Sequence, residues 1–396
     1  MQMFERYSLT KLSGVLLFGL LACSFVQAQP NSDLRWHGFF SQGAIHTDDN
    51  NFFGDSTDTS FDFRDLGVGF SWQAQNDLLL AAQLIYRDAG KTSPEGAKVD
   101  YALINYSLIN QYDFGLNLRV GRVKNPYAFY SETRDVASTR PSVILPVSIY
   151  APAFRDIFHT SDSVMLSGYK EVANWLVNFD LLRGTVPFDD KSERLLIPGL
   201  QPASIKNDKL WAARSIFEYD GGRIRLGLTY IKFDAEISTL PGMIFPGDVD
   251  SDSYIFSLEY NWRKFRFTSE YLRNDFIYKD VFAPGLDNKR EAESYYFQLG
   301  YRVNERLRVF GRYDVYYADK NDKSGDGQLL LGRPKSDGFT KDYVVGAQYH
   351  FNDQWMLAGE VHHVKGSFIL PLIENPDASQ IEEDWNLYTL QLSYKF

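Results

Sequence analysis

The chain has 396 residues and a formal net charge of −10, with 41 Lys and Arg against 51 Asp and Glu, a balance that argues against nucleic acid as a partner. Aromatic residues make up 16% of it, 30 Phe and 25 Tyr against 5 Met, yet the mean hydropathy is only −0.31. Rings at that density in a chain of modest hydropathy fit strands that are wet on one face and do not fit a helical membrane protein.

The first element is a leader. Arg6 and Lys11 precede the apolar run "LSGVLLFGLLACSFV", and "VQAQP" follows, with Val26 and Ala28 at positions −3 and −1 of a cut before Gln29. This pattern predicts a secretory signal peptide over residues 1–28. The run is short for a spanning helix, which takes about 20 apolar residues. "LLAC" also resembles a lipoprotein cleavage box that would acylate Cys23, but Leu21 is unusual there and "VQAQ" is the cleaner site. Cleavage after Ala28 removes Arg6, Lys11 and Glu5, a net +1, and leaves a chain near −11 without its only cysteine. An exported chain without cysteine has to be stable without disulfides. No later stretch approaches the length of a spanning helix, so membrane entry would be by strands.

From residue 29 onward, segments of period-two alternation recur, the signature of a transmembrane barrel. They are 34–46, 61–75, 77–87, 99–109, 114–123, 162–171, 174–184, 209–220, 223–233, 252–262, 264–274, 293–303, 306–318, 341–351, 354–365 and 385–396, sixteen in all. Short polar turns such as Asn76-Asp77, "NQYD", Gly221-Gly222, "NER" and "NDQ" alternate with long connectors, the longest being 124–161. Short periplasmic turns and long external loops would give that alternation, and an even strand count would put both termini on the short-turn side. The expected fold is all-β: a 16-stranded antiparallel transmembrane β-barrel over residues 29–396. A soluble sandwich or propeller is the other architecture that alternation allows. The aromatic strand ends and the leader favour the barrel with its apolar face outward, and closure would pair the last strand with "LRWHGFFSQGAIH".

Function in such a barrel lies on the inward face. With the more apolar set outward, Leu226, Leu228, Tyr230, Leu307, Val309, Tyr313, Phe265 and Phe267 face lipid. Arg223, Arg225, Arg306, Arg308, Arg312, Lys264 and Arg266 then face inward, and the same alternation turns Arg119, Arg214 and Arg302 to the lumen. Asp65, Asp180, Glu218, Glu259, Glu270 and Asp314 are the acidic inward candidates. A lumen of that composition is expected to be wet rather than packed, and rings of Arg and Lys favour anions; cross-wall pairing of these charges is the plainer possibility. The connector 124–161 differs from the other long ones. Read from Gly121, the stretch carries Val143, Ile144, Leu145, Val147 and Ile149 together with Arg122, Lys124, Arg134, Arg140 and Arg155. A long apolar connector of this kind is usually functional, and it is expected to fold into the barrel and narrow the pore; packing over the rim or on a neighbouring subunit is the alternative.

The leader, the sixteen strands, the long third loop and the terminal Phe396 resemble the Gram-negative trimeric porins across essentially the whole mature chain. The final "LQLSYKF", with Leu390, Leu392, Tyr394 and Phe396 on one face, is similar to the C-terminal strand that such porins present to the barrel assembly machinery. "LRVGRVKNPYAFY" is similar to the phosphate-selective (O and P type) porins, whose lumenal arginines and lysines bind oxyanions. That resemblance points to Arg122 and Lys124, with Arg134 and Arg140 as companions, as oxyanion-binding residues. It implies an outer-membrane location reached through the periplasm, contact with outer-membrane lipid and lipopolysaccharide, a homotrimer, and passive diffusion of small solutes such as phosphate without any cofactor. Arg119, Arg122, Lys124, Arg134, Arg140, Arg214, Arg225, Arg266, Arg308 and Arg312 are thus the expected pore-lining set.

Other classes leave weaker marks. The six histidines, His37, His46, His159, His350, His362 and His363, form no catalytic pattern, and neither G-x-S-x-G nor H-E-x-x-H occurs. "DKSGDG" begins like a calcium loop, but Arg333 stands where a bidentate Glu is required. A structural or adhesin-type barrel whose loops bind a partner is the alternative to a channel.

Overall fold

The computed structural model describes residues 33–91, 93–152, 155–187, 204–238, 245–281 and 283–396. The expected leader 1–28, with Cys23, lies outside the described residues. Sixteen strands close a single barrel: β1 Leu34–Thr47, β2 Arg64–Gln75, β3 Leu78–Ala89, β4 Ser93–Asn110, β5 Phe114–Lys124, β6 Thr160–Val172, β7 Trp175–Thr185, β8 Ser204–Tyr219, β9 Ile224–Ser238, β10 Gly247–Trp262, β11 Phe265–Lys279, β12 Asp287–Arg302, β13 Leu307–Tyr317, β14 Phe339–His350, β15 Trp355–Lys365 and β16 Asp384–Lys395. Each pairs antiparallel with its sequence neighbours, and β1 pairs with β16 from Phe39↔Lys395 to Thr47↔Leu387. All sixteen expected strands are present. β4, β8, β9, β10, β11 and β12 run several residues further on the long-loop side than alternation suggested.

The seam ends on Phe396, which answers the problem of an exposed strand edge. Its N–H donates to Gly38 O at 3.0 Å, and Gly38 N–H donates back to Phe396 O at 3.2 Å. The aromatic ring lies over Gly38, where a Cβ would come within 2.5 Å of Phe396 Cζ, so the glycine makes room for the ring. Leu390 and Leu392 are exposed on the outer wall, whereas Gln391 and Ser393 are buried inside. Deleting Phe396 is expected to reduce outer-membrane yield far more than conductance per assembled pore; immunoblots of outer-membrane fractions beside bilayer recordings test this, and an unchanged yield contradicts it.

Outward aromatics ring the short-turn end in contacting pairs: Trp175 with Tyr219 at 4.9 Å, Phe265 with Tyr301 at 4.9 Å and Trp355 with Tyr394 at 4.8 Å between centroids. A second ring includes Tyr230 with Tyr254 at 5.2 Å and Tyr313 with Tyr343 at 4.7 Å. From Tyr254 to Trp262 on β10 is about 27 Å of strand at ~3.4 Å per residue. At a usual tilt this makes an apolar band of roughly 20 Å, close to the height of an outer-membrane barrel's band.

Beyond the second ring the polarity of the wall reverses. On β9, Lys232 and Glu236 lie on the outer face, and Ile231, Phe233, Ala235 and Ile237 are buried inside. This corrects the expectation of a lumen that is polar and wet throughout. Above the bilayer the outer face meets water and needs charge, while the inner face packs against loops. The interior therefore holds two main apolar clusters. One joins Tyr127, Phe129, Tyr130, Leu145, Ile149 and Tyr150 to inward residues of β5–β12. The other joins Val143, Ile144 and Val147 to Phe52, Phe53, Phe63 and inward residues of β1, β15 and β16.

Candidate functional site: a loop packed across the barrel

The loop between β5 and β6 (residues 125–159, here L3) contributes to both clusters. Its base is fixed by charge. Lys124 Nζ lies 2.5 Å from Asp135 Oδ2 and 3.1 Å from Asp100 Oδ2. His159 Nε2 is 2.9 Å from Asp135 Oδ2, and Arg155 pairs with the other Asp135 oxygen. Asp100 is the extra residue of a bulge in β4, between Val99↔Leu84 and Tyr101↔Gln83. A bulge re-aims a side chain, and here it brings the Asp100 carboxylate to this group. Burial raises the Asp135 pKa, but His159, Lys124 and Arg155 outweigh it and hold the carboxyl well below its usual range. Asp100, Asp135 and His159 have donor atoms within 4.8 Å of one another, as a metal site would. Lys124 and Arg155 already supply the positive charge there, so the group is a pin for the loop.

The body of L3 is held by inward carboxylates on alternate strands. Glu270 on β11 accepts from Phe129 N–H at 3.0 Å and Tyr150 OH at 2.8 Å. Asp314 on β13 accepts from Val147 N–H at 2.8 Å. Glu360 on β15 accepts from the N–H groups of Val143 and Ile144. Donors on β12, β13 and β14 meet loop carbonyls: Ser294 Oγ to Ser148 O at 2.8 Å, Arg312 Nη1 to Ile144 O at 3.1 Å, and Gln348 Nε2 to Arg140 O at 3.1 Å. Buried backbone needs such partners, and here the wall provides many of them, beside the short helical turns Ala137–Thr139 and Arg155–Phe158 within the loop.

Between L3 and the β2–β3 wall a cavity of about 30 Å3 remains, bordered by Arg87, Arg134, Arg140, Arg155, Phe53 and Phe63 among others. No carboxylate side chain borders it among the described residues. Arg87 pairs with Asp65 at 2.6 Å. Arg134 rests over the Tyr150 ring at 5.9 Å and donates to Tyr150 O at 3.4 Å. Burial, with the charges of Arg155 and Arg87 beside it, pushes the Arg134 guanidinium down to about 9, which still leaves it protonated at neutral pH. The Nε–H groups of Arg87 and Arg140 have no protein partner, although both residues are buried.

The expected pore-lining residues fall into distinct positions. Arg134 and Arg140 border the gap. Lys124 sits in the pin at the loop base. Arg214 and Arg312 are buried behind the loop rather than lining a passage: Arg214 bonds Glu132, Asp180 and Ala128 O, and Arg312 bonds Ser142 Oγ and Ile144 O. Arg119 donates to Asn105 Oδ1 at 3.2 Å on the inner wall. Arg225 lies 3.6 Å from both Glu218 and Glu259 and stacks on Phe129. Arg266 and Arg308 line the inner wall nearer the short turns. Arg122 is a correction. It pairs across strands with Asp162, in the outward row that Val120 and Val164 continue, and bonds that carboxylate at 2.8 Å on the outer surface. Arg119 and Arg122 are three residues apart on one strand, so alternation cannot place both inside. Arg87 was missing from the set, although its parity with Gln83 and Ile85, opposite Leu84, carried the signal.

Residues 212–396 match the family model for the outer membrane protein beta-barrel domain. Comparison of the sequence with curated proteins finds no match. Among solved structures, the outer membrane channel DcaP of Acinetobacter baumannii aligns with a TM-score of 0.59 at 11% identity, over 94% of this chain and 99% of that one. The anion-selective porin from Comamonas acidovorans aligns at 0.55 and 13% identity, over 92% and 99%. OmpT of Vibrio cholerae, in its trimer form, aligns at 0.55 and 10% identity, over 92% and 99%. The chain is an outer-membrane β-barrel. Its fold is that of the Gram-negative porins, and its location is the outer membrane.

Proposed function

We propose that this barrel is a porin through which small hydrophilic solutes diffuse passively, with a preference for anions such as phosphate and other oxyanions. The observation that carries the reading is the gap beside L3, where Arg87, Arg134, Arg140 and Arg155 converge without a bordering carboxylate. In a passage that narrow, an entering ion sheds water and depends on the groups of the wall, so guanidinium N–H donors favour anions. Asp65 and Asp135 compensate two of the four arginines from behind. We further read L3 as the constriction, residues 1–28 as the cleaved leader, and the assembled form as a homotrimer, in keeping with the trimer form described for OmpT. Leu390, Leu392, Tyr394 and Phe396 then serve as the assembly signal.

Reversal potentials in planar bilayers under a salt gradient test the reading. Anion preference is expected, and it should shrink in Arg134→Gln and Arg140→Gln, with phosphate or sulfate competing for the current. Cation selectivity in the wild-type protein would overturn the assignment.

A further inference from the structure

The wall on the short-turn side of L3 carries a second cationic feature. A cavity of about 200 Å3 lies between Ser138–Pro141 of the loop and the ends of β10–β14. Arg140, Arg263, Lys264, Arg266, Arg302 and Arg308 all border it, and among the described residues no carboxylate does. Arg302 and Arg308 stand directly opposite each other in the β12–β13 register. Arg266 stands opposite Gly300, so no side chain separates it from that pair. Its nearest carboxylate, Glu259, lies 4.0 Å away and is shared with Arg225 at 3.6 Å. Arrays of like charge that stay uncompensated within a protein mark places where a ligand supplies the counter-charge.

Two buried polar atoms of residues that border the same space have no protein partner, although Arg140 also donates through Nη2 to Gln391 Oε1 at 3.0 Å. Arg140 is only 7% exposed, and its Nε–H finds no acceptor. Gln298 is 5% exposed, and its Oε1 finds no donor. Arg140 also borders the narrow gap, so the two spaces share one guanidinium. A water takes up about 10–15 Å3 of such a volume, which makes the cavity far larger than one oxyanion. A single monoanion would leave most of the positive charge unmatched.

We propose that this cavity binds a compact organic or inorganic polyanion, a solute with two or more carboxylate or phosphate groups. Its anionic groups would bridge the Arg266–Arg302–Arg308 patch and Arg140, and a hydroxyl or amine on it would donate to Gln298 Oε1. The proposal deepens the permeation reading and rests on it for solute access. It names a second station, beyond the constriction, that a monoanion would not occupy.

The test is calorimetric titration of the full-length, detergent-solubilised protein with citrate, pyrophosphate, acetate and glucose, beside bilayer recordings on the same preparation. Citrate and pyrophosphate are expected to bind, and acetate and glucose not to. Citrate alone binding assigns the site to carboxylates, and pyrophosphate alone assigns it to phosphates. The double variant Arg302→Gln/Arg308→Gln should weaken polyanion binding by about tenfold for each guanidinium lost. Arg266→Gln, at an exposed position, provides a second variant if the double one assembles poorly. Arg223→Gln, on a turn and 3.5 Å from Asp220, should leave binding unchanged. Binding of neither polyanion, acetate binding as tight as citrate, or full affinity in both variants would overturn the proposal. Polyanion binding by a barrel that does not conduct would keep the site and sink the permeation reading. Anion-selective conductance without polyanion binding would do the reverse.

Discussion

Deletion of residues 130–150 is expected to raise single-channel conductance several-fold and to lower thermal stability at the same time. The segment supplies Tyr130, Leu145, Ile149 and Tyr150 to one apolar cluster and Ala137, Val143, Ile144 and Val147 to the other. Each fully buried aliphatic or aromatic side chain is worth about 1.5–3 kcal/mol, so the packing lost is substantial. Part of that loss is offset. With the loop gone, water reaches Glu270, Asp314 and Glu360, which then need no protein donors. The opened lumen should carry more current, with selectivity set by the inner wall alone. Bilayer recordings measure the first effect, and the temperature at which the folded band is lost on unheated gels measures the second. Conductance equal to wild type would show that ions pass by a route the loop does not obstruct.

Replacing Glu270 by Ala should loosen the loop without opening the barrel. The carboxylate is fully buried and accepts four hydrogen bonds: from Ser257 Oγ at 2.7 Å, Tyr150 OH at 2.8 Å, Tyr296 OH at 2.9 Å and Phe129 N–H at 3.0 Å. Tyr150 OH in turn accepts from the N–H groups of Phe129 and Tyr130, at 3.0 Å each. Removing the acceptor strands donors on two strands, β10 and β12, and on the loop. Loss of one member of such a buried network costs about 3–5 kcal/mol. Glu270→Gln keeps the shape and one acceptor oxygen, so a loss of about 1–2 kcal/mol is expected. The alanine variant should show flickering current and earlier thermal melting, and the glutamine variant should lie between it and wild type. Quiet channels and wild-type melting in the alanine variant would mean that the other carboxylates hold the loop without it.

The strands were legible because a spanning wall leaves no freedom. Each must alternate, and each is bounded by polar turn residues. Their outer ends were not legible, since above the bilayer the apolar set changes sides, as Ile231 and Phe233 do against Lys232. A rule that sets apolar residues outward fails there for a physical reason: the solvent outside has changed from lipid to water. Parity served well within the band, placing Arg225, Arg266 and Arg308 inside. Arg122 was misplaced because a motif resemblance overrode that parity. The carboxylate supports of L3 were partly visible, Glu270 and Asp314 as inward candidates, but their partners lie more than a hundred residues away in sequence. No local pattern announces that a backbone N–H at Val147 will meet Asp314. The gap at Arg87 depends on the same long-range assembly, joining a strand arginine to loop residues that only the closed barrel brings together.

L3 touches opposite sides of the barrel, one cluster on β5–β12 and the other on β1, β15 and β16. It is therefore a strut as well as an obstruction. A wide tube of single-sheet thickness is compliant, and lateral pressure in a membrane tends to flatten it into an ellipse. A diagonal brace bonded to both sides resists that flattening. Permeability and stiffness are thus set by the same stretch of chain. Selection for a wider bore by trimming L3 would yield a softer cylinder, whereas a change at Arg87 on β3, outside both apolar clusters, would adjust the opening and leave the brace intact.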